Sequence, residues 1–161
     1  MHLEILQVDY SNPDHCQDWI GLLDAYAQDP MGGGQPLSPF AKANLAGALA
    51  KRPDALSLLA YVEGQAVGLV NCFEGFSTFA CKPLLNIHDV VVLKDYRGLG
   101  ISRQLLARVE AIARERGCCK LTLEVLEGNR VARQAYEGYG FKGYELDPAM
   151  GQALFLEKPL Y

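Results

Sequence analysis

Residues 95–106 read DYRGLGISRQLL, and the period of the hydrophobic pattern changes across them. Upstream, PLLNIHDVVVL ends in an apolar run from Val90 to Leu93, which predicts a central strand buried on both faces. Downstream, Leu105, Leu106, Val109 and Ile112 recur at helical spacing, with Arg103, Arg108 and Arg114 opposite and Gly117 as the stop. Between strand and helix lie Arg97, Gly98, Leu99, Gly100, Ile101 and Ser102. Glycines there permit positive φ and close approach, so that successive N–H groups and the helix dipole converge on an anion. It is not a dinucleotide fingerprint, which would need a third glycine at Arg103, and it lacks the Gly-Lys-Ser/Thr ending of a P-loop.

Working outward, HLEILQVD alternates as an opening strand, and HCQDWIGLLDAYAQ spaces Trp19, Leu22, Leu23 and Tyr26 as a helix. DPMGGGQPLSP breaks regular structure and offers a mobile lid as one reading; Ser38 and Pro39 then cap a second helix. LSLLAYVE and AVGLVNCFEG flank a tight turn as a hairpin. CKLTLEVLE is a further strand, Asn129 opens a helix that Gly140 ends, and FKGYELD with ALFLEKPLY form a closing strand pair.

The chain has 161 residues, one domain's worth spanning 1–161, with a formal charge of -4. Such a balance provides no positive field for nucleic acid. No apolar stretch reaches the roughly 18–20 residues that cross a bilayer, and no leader pattern opens the sequence, so a cytoplasmic protein without membrane partners is expected. The five cysteines have no CxxC spacing and are read as small hydrophobes; neither a disulfide framework nor a metal site is expected.

Arg97, Gly100 and Ser102 fit an R-x-x-G-x-G/A pattern, with serine in the last place. NRVARQAYEGYGF fits N-x-x-A-x-x-x-Y-x-x-x-G-F through Asn129, Ala132, Tyr136, Gly140 and Phe141. Both motifs, and the element order, resemble the GNAT superfamily of acetyl-CoA-dependent N-acetyltransferases. LLNIHDVVVLKDYRGLGI and FLEKPLY are locally similar to spermidine/spermine N-acetyltransferases, with His88-Asp89 where those enzymes carry Glu-Asp. The resemblance implies an α/β (α+β) fold: a mixed, mostly antiparallel sheet of about seven strands, its central strands splayed, flanked by about four helices. It also implies direct acetyl transfer from acetyl-CoA to a primary amine of a small molecule (a polyamine, an amino acid or a related amine) through a tetrahedral intermediate. A protein or peptide N-acetyltransferase and a non-catalytic acyl-CoA sensor are the alternatives. A homodimer, joined through the final strands, is expected on the same ground.

By that resemblance the pantetheine lies in the splay against Val90, Val91 and Val92. Its pyrophosphate rests on residues 97–102 with Arg97 and Arg103, and Asn129 binds the CoA arm or simply caps its helix. An alkylamine of pKa near ~10 must lose a proton to attack. His88 is the leading base, with Glu124 as a second candidate. Tyr136 holds the family position of the acid that protonates the departing thiolate. Asp89 is a candidate for binding the substrate ammonium, although neighbours on a strand point to opposite faces unless a bulge intervenes. Glu74 and Phe76, with Phe73 and Phe79, are expected to wall the acceptor site.

Overall fold

A computed structural model describes residues 1–144 and 146–161. Its elements are β1 (Leu3–Gln7), α1 (Pro13–Gln28), α2 (Pro39–Ala50), β2 (Ala55–Val62), β3 (Gln65–Ser77), β4 (Lys82–Val92), α3 (Ile101–Glu115), β5 (Leu121–Leu123) and α4 (Arg130–Tyr139). The chain divides into two compact units, Met1–Leu126 and Glu127–Tyr161.

The first unit is built on a five-stranded sheet in sequence order, β1 to β4 antiparallel and β5 parallel to β4. The hairpin β2–β3 closes through Glu63 and Gly64, both at positive φ (49° and 80°), so the turn starts one residue earlier than the Gly64–Gln65 reading of the sequence. Two left-handed residues in a two-residue loop match the twist of the flanking strands.

Helix caps follow local chemistry. Asn12 accepts from the Asp14 and His15 N–H groups with Pro13 at the first helical position, and Ser38 accepts from Ala41 ahead of α2. The glycine-rich connection between α1 and α2 is tied back rather than loose. Asp29 caps a single 3₁₀ turn at Pro30–Gly32, Gln35 donates to the Ala27 carbonyl, and Leu37 donates to Asp24 Oδ1 at 2.8 Å. A Cβ at Gly32 would overlap the Tyr26 carbonyl oxygen, so this glycine is set by close approach.

Trp19, Leu22 and Leu23 of α1 and Leu49 of α2 bury one face of the sheet against Leu59, Leu69 and Val91. On the other face α3 supplies Ile101, Leu105, Leu106, Val109 and Ala113. Gly68 lets α3 and β4 come close: a Cβ there would stand 2.9 Å from the Val91 carbonyl oxygen and 3.4 Å from Leu105 Cδ1.

The expectation of about seven strands is corrected to five among the described residues. Residues 141–161 form no strand among the described residues; beyond the 3₁₀ turn at Pro148–Met150, a backbone bond runs from Ala153 N–H to the Tyr144 carbonyl. Part of the expected strand FKGYELD, Glu145, lies outside the described residues. A strand exists only where a ladder partner supplies its hydrogen bonds, and alternation of apolar residues cannot supply one. Leu154, Phe155 and Leu156 are accordingly all more than 70% exposed. In the second unit Asn129 Oδ1 caps α4 through Ala132 N–H, Gly140 ends it at φ 117°, and Phe141 packs edge-on against Tyr136 and stacks on Tyr139.

Candidate active site

β4 and β5 pair over only three residues, Leu85–Ile87 with Leu121–Leu123. Asn86 Nδ2 donates to Thr122 Oγ1 at 2.9 Å and fastens the middle pair of that ladder. From His88 onward, beside Val90, Val91 and Val92, β4 has no ladder partner on its β5 side among the described residues. Backbone groups along such an edge are available to an extended, amide-bearing ligand.

The unpaired edge leads directly into the glycine turn. Gly98 and Gly100 both take left-handed φ, 78° and 80°, and a Cβ at either would meet no atom within 4 Å, so it is their backbone conformation that requires glycine. Gly100 is the N-cap of α3 and brings no capping side chain. The N–H groups of Gly98, Leu99, Gly100, Ile101 and Ser102 bond to no other group among the described residues. Donors at a helix start without a cap, beside a left-handed turn, are what an anionic phosphate satisfies. Arg97 Nε donates to the Val92 carbonyl at 3.0 Å, holding the guanidinium beside the turn. The residues present therefore fit a pyrophosphate-bearing ligand.

One strand further in, the β3–β4 register slips. Asn71 pairs with Asp89 and Cys72 with Ile87, which leaves His88 as the extra residue of a β-bulge. The bulge answers the facing question raised by the sequence. Asp89 shares the α1/α2 face with Asn71, whose Nδ2 donates to Asp89 Oδ2 at 3.0 Å. His88 is turned toward that same face, where its ring meets Phe73 edge-on at 5.6 Å. Tyr26 of α1 lies near Asp89; burial foremost, and the Asp89 charge after it, raise the Tyr26 phenol above its ordinary value.

The other expected acceptor residues are not brought together with this pair. Glu74 and Phe76 point to the α3 face by strand parity. Glu74 forms an ion pair with Arg116, just after α3, at 3.4 Å. Phe76 and Phe79 are 60% and 98% exposed at the β3–β4 hairpin end, so the three phenylalanines do not make one wall. Glu124 is exposed, one residue beyond β5. Asn129 and Tyr136 belong to the second unit, where Asn129 caps α4 and the Tyr136 ring meets Phe141.

Sequence reading missed the buried partners of Asp89. Asn71 sits in an apolar strand pattern, VGLVNCF, as its one amide, and that lone polar residue was the available signal.

Residues 19–141 match the family model described as Acetyltransferase (GNAT) family. Among curated relatives, a streptothricin acetyltransferase of Streptomyces lavendulae is 39% identical over 54% of this chain and 48% of its own length. The N-alpha-acetyltransferase MAK3 of Arabidopsis thaliana is 34% identical over 53% of this chain and 44% of its own. The chain thus spans about half the length of these relatives. Among solved structures, an aminoglycoside acetyltransferase from an uncultured soil metagenomic sample superposes with a TM-score of 0.80, covering 99% of this chain and 97% of that one. Its sequence identity is 18%, so the likeness is one of fold.

Proposed function

The chain belongs to the acetyltransferase (GNAT) family, and from that premise we propose that it transfers the acetyl group of acetyl-CoA directly to a primary amine of a small molecule. The observation that carries the proposal is the continuous run from the unpaired β4 edge to the uncapped α3 N-terminus, with left-handed Gly98 and Gly100 at the turn. A pantetheine arm needs amide partners along an extended edge, and a pyrophosphate needs convergent N–H donors.

In this reading Val90, Val91 and Val92 pair with the arm, and Arg97, Gly98, Leu99, Gly100, Ile101, Ser102 and Arg103 hold the phosphates. His88, directly or through a water, takes the amine proton, and Glu124 is the second choice as base. The amine nitrogen bonds to the thioester carbonyl carbon, an N–H of β4 supports the oxyanion, and the carbon–sulfur bond breaks. Tyr136 returns a proton to the thiolate and Asn129 binds the CoA arm; for both residues the support is the N-x-x-A-x-x-x-Y motif. The acceptor's cationic part is assigned to Asp89 rather than Glu74, which Arg116 already neutralises. Glu74 and Phe76 then border the site only from the hairpin end. One domain over 1–161, a cytoplasmic location and a homodimer belong to the same proposal.

The test is release of CoA thiol across polyamines, amino acids, aminoglycosides and peptides with free N-termini. Transfer to small amines at higher kcat/KM than to any peptide is expected, and Tyr136→Phe loses turnover while keeping CoA affinity. Transfer confined to peptides would replace the acceptor class. Tight CoA binding without transfer to any amine would make the chain a sensor.

A further inference from the structure

Asn71 is 4% exposed in the middle of the sheet and makes three hydrogen bonds. Trp19 Nε1 donates to its Oδ1 at 2.7 Å, Ser57 Oγ donates to the same atom at 2.6 Å, and its Nδ2 donates to Asp89 Oδ2 at 3.0 Å. An indole N–H can only donate, so the amide atom facing Trp19 must be oxygen, which turns the NH₂ toward Asp89. Ser57 gives its proton to Asn71, so in the 2.8 Å contact between Tyr10 OH and Ser57 Oγ the phenol is the donor. The donors therefore all run one way, Tyr10 to Ser57 to Asn71 to Asp89, and Trp19 locks the amide that could otherwise flip.

This chain ends on one carboxylate oxygen. The other, Asp89 Oδ1, accepts nothing among the described residues. Each internal bond replaces one to water, so the network adds little net stability. Its distinct effect is to hold Asp89 in a single orientation at the bulge that also carries His88.

A carboxylate paired with an amine favours the charged ammonium, which cannot attack a thioester. The group held by Asp89 is therefore not the amine that is acetylated. We infer that Asp89, oriented by the Asn71–Trp19–Ser57 network, docks a second, non-reacting cationic group, so that the acceptor is dibasic and Asn71 is a positioning residue for its selection. The inference rests on the proposed acetyl transfer and deepens it.

The experiment compares 1,4-diaminobutane with 4-amino-1-butanol, which replaces one ammonium by a hydroxyl at nearly the same size. Wild type is expected to favour the diamine by roughly tenfold in kcat/KM. Asp89→Asn abolishes that ratio. Asn71→Leu collapses it through KM rather than kcat, and Trp19→Phe, which keeps an aromatic core but removes the donor that locks the amide, reduces it severalfold. Should Asn71→Leu not fold, Trp19→Phe and Ser57→Ala carry the comparison. An unchanged ratio in folded variants with lowered melting temperatures assigns the network a structural role and overturns the inference. If wild-type protein acetylates neither compound, calorimetric binding of the two to the CoA-bound protein replaces kinetics. Equal affinities would overturn the docking role, whereas a diamine preference lost in Asp89→Asn would uphold it while the transfer reading fails.

Discussion

Arg97 Nε and the Val92 carbonyl lie 3.0 Å apart, a bond that links the glycine turn to the last residue of β4. It joins the two halves of the proposed CoA site, the unpaired strand edge and the phosphate turn, through one guanidinium. Arg97→Ala is predicted to weaken CoA about tenfold, and Arg97→Lys to recover only part of that, because a point charge cannot serve the carbonyl and a phosphate in the same planar fork. Calorimetric titration of CoA into the three proteins checks this. Equal affinities would remove Arg97 from the site.

Two glycines are predicted to resist alanine for different reasons. At Gly100 the space is open and the cost is the left-handed φ, about 1–2 kcal/mol. At Gly32 the new Cβ would overlap the Tyr26 carbonyl oxygen, an overpacking whose cost is nearer ~3 kcal/mol. Denaturant melts with and without CoA separate them further. Gly100→Ala also loses CoA affinity, while Gly32→Ala changes stability alone.

Asp24 ties the α1–α2 connection through Leu37 N–H at 2.8 Å and faces Lys42 Nζ at 3.2 Å. The Leu37 bond first, and Lys42 after it, hold the Asp24 carboxyl below its ordinary value. Its folded value is depressed, so its contribution is complete above the unfolded value near ~3.9 and drains as pH falls through the lower folded one. The melting-temperature gap between wild type and Asp24→Asn is predicted to be level above about pH 5 and to close in stronger acid. A gap that persists undiminished at pH 2 would refute this.

Burial pushes the Cys72 thiol up to about 12. At pH 8 it is therefore a protonated thiol inside β3, and iodoacetamide is predicted to label exposed Cys81 and Cys119 in native protein while sparing Cys72 until denaturant is added. Peptide mass mapping of labelled sites reads the result. Native labelling of Cys72 would mean that β3 opens readily.

The elements with strong local signals were legible from residues alone. Ser38-Pro39 and Asn129 start helices where their side chains accept an early N–H group, and Gly117 and Gly140 mark stops through left-handed φ; the Asn12-Pro13 start of α1, two residues ahead of the His15 read from the sequence, was not legible. The glycine turn ahead of α3 was legible for the same reason, since Gly98 and Gly100 act through their own backbone. The GGG connection was misleading: its glycines permit mobility, but Asp24, Asp29 and Ala27 tie it down from α1. The acceptor side was less legible still, because Glu74, Phe76 and Asp89 lie close in the sequence while strand parity sends them to different faces.

By itself the sequence determined what depends on neighbouring residues: the caps at Ser38 and Asn129, the glycine conformations, the alternation of the hairpin and the strand-to-helix glycine turn. Tertiary structure alone decided what depends on partners. The β4–β5 ladder ends after three residues, the closing segment remains without a ladder among the described residues, and a one-residue register slip turns His88 to the face of Asp89. The direction of the donor chain onto Asp89 was settled by Trp19, 52 positions from Asn71. Hydrogen bonds between distant segments carry no periodic signature, so only the fold could set their direction.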